Sequence, residues 1–85
     1  MDIYKKALQK WGRDKQTIKA IEEMSELTKE LSKMLIGKDN KLAIAEEIAD
    51  VRITIEQIEI FLELKSEVEK QRQIKLDRLE MSVSE

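Results

Sequence analysis

Eighty-five residues make at most one domain, expected over 1–85, and the chain has neither cysteine nor histidine. That excludes disulfides, zinc sites of thiolate or imidazole, histidine acid–base catalysis, and a di-iron centre that takes a Glu-x-x-His pair from each of two helices. Charged residues make up 40% of the chain but the net charge is only −2, so no basic face for duplex nucleic acid is expected, and the apolar runs are too short for a membrane span.

Met1 leads straight into a helical pattern without an apolar signal region, so the cytoplasm is the expected compartment. There is no proline, and Gly12 and Gly37 are the only glycines, which predicts an all-α chain of four helices. The first covers about Asp2 to Lys10, with Asp2 as its cap and Ile3, Ala7 and Leu8 on one side. It ends at Trp11-Gly12, where the glycine suits a left-handed C-cap. The second runs from near Asp14 to about Leu35, with Ile18, Ile21, Met24, Leu27, Leu31 and Leu35 as its apolar stripe. Ile36-Gly37-Lys38-Asp39-Asn40 reads as a turn, and Asp39 or Asn40 can cap a third helix that reaches about Glu63.

The third helix is apolar on two sides. Ile44, Ile48, Val51, Ile55, Ile58 and Leu62 make one stripe, and Leu42, Ala49, Ile53 and Ile60 make the opposite one. A helix apolar on two faces must be covered on both, which predicts a partner subunit and a homodimer or homotetramer. Between the stripes lies a wedge of Glu46, Glu47, Asp50, Thr54 and Gln57. Ser66-Glu67-Val68-Glu69 reads as a capping box opening a fourth helix. Val68, Ile74, Leu76 and Leu79 give that helix a weak stripe, Lys70, Arg72, Lys75 and Arg78 make it basic, and Met81 to Glu85 are expected to fray.

Two acidic clusters carry the chemistry: Glu22-Glu23-Met24-Ser25-Glu26 and Glu46-Glu47-Ile48-Ala49-Asp50. The pairs Glu23/Glu26 and Glu47/Asp50 are each three residues apart, so each pair sits on one side of its helix, one turn apart. Charged helices commonly carry such pairs as solvated faces. Here the pairs recur on consecutive antiparallel helices and abut the apolar stripes. Folded against each other, the two helices bring four carboxylates to one place. Such a site needs a cation that takes oxygen ligands, Mg²⁺ or else Mn²⁺. Glu22 falls on the far side of its helix from the stripe and is the weaker inward candidate. Trp11 can stack on a nucleobase or anchor a core or interface, and Gln16 and Gln57 can read base edges. Lys75 and Arg78 can clamp phosphates or form a solvated face.

Glu23-x-x-Glu26, a gap of twenty residues, then Glu47-x-x-Asp50 resembles the ExxE…ExxD signature of the MazG-like, all-α nucleoside triphosphate pyrophosphohydrolases. The surrounding text agrees: Glu22 to Leu27 resembles the family's EExxEL, and Glu46 to Val51 its EELGDV, with Ala49 where a glycine is common. Trp11-Gly12, Gln16, Lys75 and Arg78 look like further family features, and the chain is similar to compact phage and prophage members. The resemblance implies a four-helix, MazG-like bundle completed by dimerisation. It also implies Mg²⁺-dependent hydrolysis of a (deoxy)nucleoside triphosphate to the monophosphate and pyrophosphate. Glu23, Glu26, Glu47 and Asp50 would be the metal ligands and Glu22 or Glu23 would orient the attacking water. Trp11, Gln16, Lys75 and Arg78 would hold the substrate. The alternative expectation is a non-catalytic helical interaction or regulatory protein that keeps the fold.

Overall fold

The computed structural model describes residues 2–85, and the expectation drawn at Met1 lies outside the described residues. Among those residues there are three helices and no strand: α1 (Ile3–Leu35), α2 (Lys41–Phe61) and α3 (Lys65–Val83). Asp2 caps α1 as expected, its Oδ1 accepting from the backbone N–H of Tyr4 at 2.7 Å and of Lys5 at 3.4 Å. The two expected N-terminal helices are one element with a break in it. Gly12 sits at φ 78°, ψ 169°, a conformation essentially reserved for glycine and outside the left-handed helical well of a C-cap. Helical geometry stops at Gly12 and resumes beyond it, so α1 is two helical segments joined across a kink, with the expected break in place.

At the far end of α1, Gly37 (φ 95°) closes a Schellman turn: its N–H donates to Met34 O at 3.0 Å, and the N–H of Lys38 donates to Lys33 O at 3.1 Å. The end of α2 repeats this pattern with a residue that fits it less well. The N–H of Glu63 (φ 54°) donates to Ile60 O at 3.1 Å and that of Leu64 to Glu59 O at 2.9 Å. Helical structure restarts at Lys65, so Ser66 lies inside α3 and the expected capping box does not form; Leu64 holds the N-cap position without a side-chain bond. The helix also continues through Val83, past the Met81 where fraying was expected. Asn40 stands at the N-cap of α2 but does not cap it with its side chain. Its amide nitrogen instead donates across the turn to the Glu30 carbonyl (2.8 Å) and carboxylate (3.0 Å).

Asn40–Glu30 beside the turn and a hydrogen bond from the Tyr4 hydroxyl to the Glu56 carboxylate at the other end show that α1 and α2 run antiparallel. The seam between them is made of small and polar groups. Ala7, Gln16, Ala20 and Glu23 are the buried residues of α1, and Val51 and Thr54 those of α2; the Thr54 hydroxyl is satisfied by Val51 O at 2.9 Å. The apolar stripe expected to pack α1 is therefore displaced. Ile18 and Ile21 are 57% and 58% exposed, and Met24, Leu31 and Leu35 are exposed too. On a helical projection the buried face lies roughly a quarter turn from the stripe's centre, toward Glu23 and Glu30. On α2, Ile48, Ile53 and Ile55 flank the seam and are exposed as well.

The third helix buries no residue, touches α2 sparingly and does not contact α1. Its projection explains a radius of gyration of 15.8 Å, against the ~12 Å of a compact chain of this length.

Candidate metal centre

The α1–α2 seam places carboxylates of both acidic clusters together. Glu23, Glu47 and Asp50 each offer an oxygen, and those oxygens lie within 4.8 Å of one another. Helical spacing sets this up: Glu47 and Asp50 are one turn apart on the wedge of α2 that faces α1, and Glu23 follows Gln16 and Ala20 along the buried face of α1. Octahedral ligands about 2.1 Å from Mg²⁺ stand ~3.0–4.2 Å from each other, a scale comparable to the spacing of the trio. Oxygen donors alone suit a hard divalent cation.

The electrostatics follow from the crowding. One oxygen of Glu47, Oε2, is buried without a hydrogen-bond partner. Burial, and then the charges of Glu23, Asp50, Glu26 and Glu30, push the Glu47 carboxyl above the ordinary glutamate range. Glu23 is 9% exposed, and its Oε1 accepts from Lys19 Nζ at 2.9 Å. That hydrogen bond and the Glu23 charge raise the Lys19 ammonium above its ordinary value.

Glu23 and Asp50 open onto a cleft of about 380 Å³, walled on the α1 side by Trp11, Lys15, Gln16 and Lys19. Ile53, Thr54 and Gln57 form the α2 wall. Gln16 is 4% exposed, and its amide nitrogen has no hydrogen-bond partner, a buried donor held at the cleft without an acceptor. Trp11 is not a core anchor: it is 52% exposed, with Lys10 Nζ 5.4 Å from its ring centroid. The Tyr4–Glu56 hydrogen bond holds its segment against α2, and the Gly12 break directly follows it. A second cleft, lined by Tyr4, Ala7, Trp11, Ile53 and Gln57 among others, continues from the first along the same wall.

Three of the four expected ligands thus meet. Glu26 is exposed and outside the trio, although its charge acts on Glu47. Glu22 is exposed and does not line the cleft. Trp11 and Gln16 do line it, whereas Lys75 and Arg78 stand exposed on α3, outside the cleft walls. The cations found at the cleft are Lys15 and Lys19. Lys19 lies four residues before Glu23, a spacing that places both on one helical side and was readable in the sequence.

No family model matches this chain, and no curated protein or solved structure matches it either.

Proposed function

We propose that the chain is a divalent-metal-dependent nucleotide pyrophosphohydrolase of MazG-like type, working as a homodimer or homotetramer. The observation that carries this reading is the convergence of Glu23, Glu47 and Asp50, from two helices, at one end of a cleft that also offers Trp11 and a buried, unpaired Gln16 donor. The trio would hold Mg²⁺, with Glu26 one turn away from Glu23 as the fourth candidate. When bound, the ion supplies charge neutralisation for the phosphates and lowers the cost of ionising water.

The rest falls to the protein. Trp11 presents a ring face to a base, and Gln16 Nε2 donates to a base acceptor. A water oxygen bonds to the α-phosphorus and the bond to the α,β-bridging oxygen breaks, releasing pyrophosphate. A carboxylate takes the water's proton; of Glu22 and Glu23, only Glu23 lines the cleft. Lys75 and Arg78 reach the phosphates only in an oligomer in which α3 packs on a second copy. Such packing would complete a four-helix bundle and cover the exposed stripes.

Incubation with each nucleoside and deoxynucleoside triphosphate plus Mg²⁺, assayed for pyrophosphate, tests the reading. At least one nucleotide is expected to give metal-dependent release, reduced by on the order of 100-fold or more in Asp50→Ala. No release with any nucleotide would favour instead a non-catalytic interaction protein, a reading supported by the exposed apolar faces of α1 and α2. Release unaffected by chelator would overturn the metal dependence.

A further inference from the structure

Building on the metal reading above, we propose that Lys19 is a tethered placeholder cation: it neutralises Glu23 until a divalent ion arrives, then transfers to the phosphates of the incoming nucleotide. Its Nζ lies 2.9 Å from Glu23 Oε1, one carboxylate of the trio. The side chains differ in a way that suits exchange. That of Glu23 is 12% exposed and held in the seam, whereas that of Lys19 is 59% exposed, so its stem is free to swing. An ammonium in contact with an oxygen opposes a divalent cation on that same oxygen, because like charges a few ångströms apart repel. Lys19 must therefore leave Glu23 for an ion to be held there.

The cleft supplies its next partner. Lys19 and Lys15, one turn apart, line the wall beside Trp11 and Gln16, so phosphates entering with an ion at the trio come within reach of the released ammonium. The same charge acts oppositely in the two states. It relieves repulsion among Glu23, Glu47 and Asp50 and competes with a bare ion, yet it adds a contact once phosphates are present. Ion and nucleotide then bind best together. An i,i+4 ion pair serving helix stability alone would not act in opposite directions on the two ligands.

The test uses the full chain and two probes: Mn²⁺ alone, followed by electron paramagnetic resonance of the free ion, and Mn²⁺ with inorganic triphosphate, followed by calorimetry. Lys19→Met is expected to bind Mn²⁺ alone about tenfold more tightly than the parent chain and Mn²⁺-triphosphate about tenfold more weakly. Lys19→Gln, run in parallel, is expected to show the same crossed effect, and Lys19→Arg, which keeps the charge, to bind Mn²⁺ alone as the parent does. Unchanged or weaker Mn²⁺ binding in Lys19→Met, tighter binding of both probes, or no triphosphate binding by the parent chain would overturn the inference. Asp50→Asn separates it from the reading beneath it. Loss of Mn²⁺ in that variant keeps the metal centre whatever Lys19 does; undiminished Mn²⁺ binding removes the centre itself.

Discussion

Glu47 illustrates how one side chain registers its surroundings. Its carboxyl is raised by burial first and by the neighbouring carboxylates next, so the folded chain binds its proton more tightly than the unfolded chain does. Folding is therefore helped at low pH, and that help is lost as pH rises through the window between the ordinary glutamate value and the raised one. With divalent ions chelated, the thermal midpoint followed by circular dichroism should fall across that window in the parent chain, and Glu47→Gln should remove this part of the slope. On the metal reading, added Mg²⁺ should raise the midpoint above that window in the parent and much less in Glu47→Gln. Glu63 is the other telling residue. Its φ of 54° puts a side chain where Cβ crowds the following carbonyl, so Glu63→Gly should stabilise the fold by about 0.5–1 kcal/mol in urea unfolding.

Among the helices, the α1–α2 hairpin is held at its ends by polar ties and along its seam by small residues. Near the turn, the Asn40 amide first and the Lys33 ammonium second hold the Glu30 carboxyl below its ordinary value. A lowered carboxyl stabilises the fold above the ordinary glutamate range, and this support is lost as pH falls through the depressed value. Asn40→Ala should therefore lower the thermal midpoint at neutral pH and cost less in acid, where Glu30 is protonated in both proteins. The same hairpin shows what helical spacing conveys. The spacing predicted that Glu23, Glu26, Glu47 and Asp50 lie on wedges able to meet; Glu23, Glu47 and Asp50 do, and Glu26 does not. It also named an apolar stripe as the packed face of α1, and the structure packs the edge of that stripe instead, because Ala20, at 1% exposure, lets the backbones approach where the isoleucines would hold them apart.

Taken as a molecule, the chain is short of core. Its buried apolar residues are Ala7, Ala20 and Val51, and no large side chain is fully buried among the described residues. Two small side chains and one valine supply little of the apolar burial that offsets chain entropy, and a 19-residue helix without a packed face is marginal in water. Self-association fits this deficit, since the exposed Ile18, Ile21 and Met24 on α1 and Ile74, Leu79 and Met81 on α3 are surfaces a second copy can bury. Sedimentation at micromolar concentration is expected to show a dimer or tetramer, and Ile21→Asp to shift it toward monomer and lower its helical content. A stable, fully helical monomer would contradict this. Separately, among the described residues no helix is long and apolar enough to cross a membrane.

The amino-acid order alone determined the helical class, the breaks at Gly12 and Gly37, and the recurrence of carboxylates at one-turn spacing. These are local properties, governed by backbone freedom and by the angle between successive side chains. Only the tertiary structure decided which side of α1 meets α2, that Glu26 stays outside the trio, that Lys19 rather than Lys75 stands at the cleft, and that α3 lies apart from the hairpin. The reason is that periodicity tells which residues share a face but not what the face meets: a stripe awaiting another chain looks the same along the sequence as one that closes on its own.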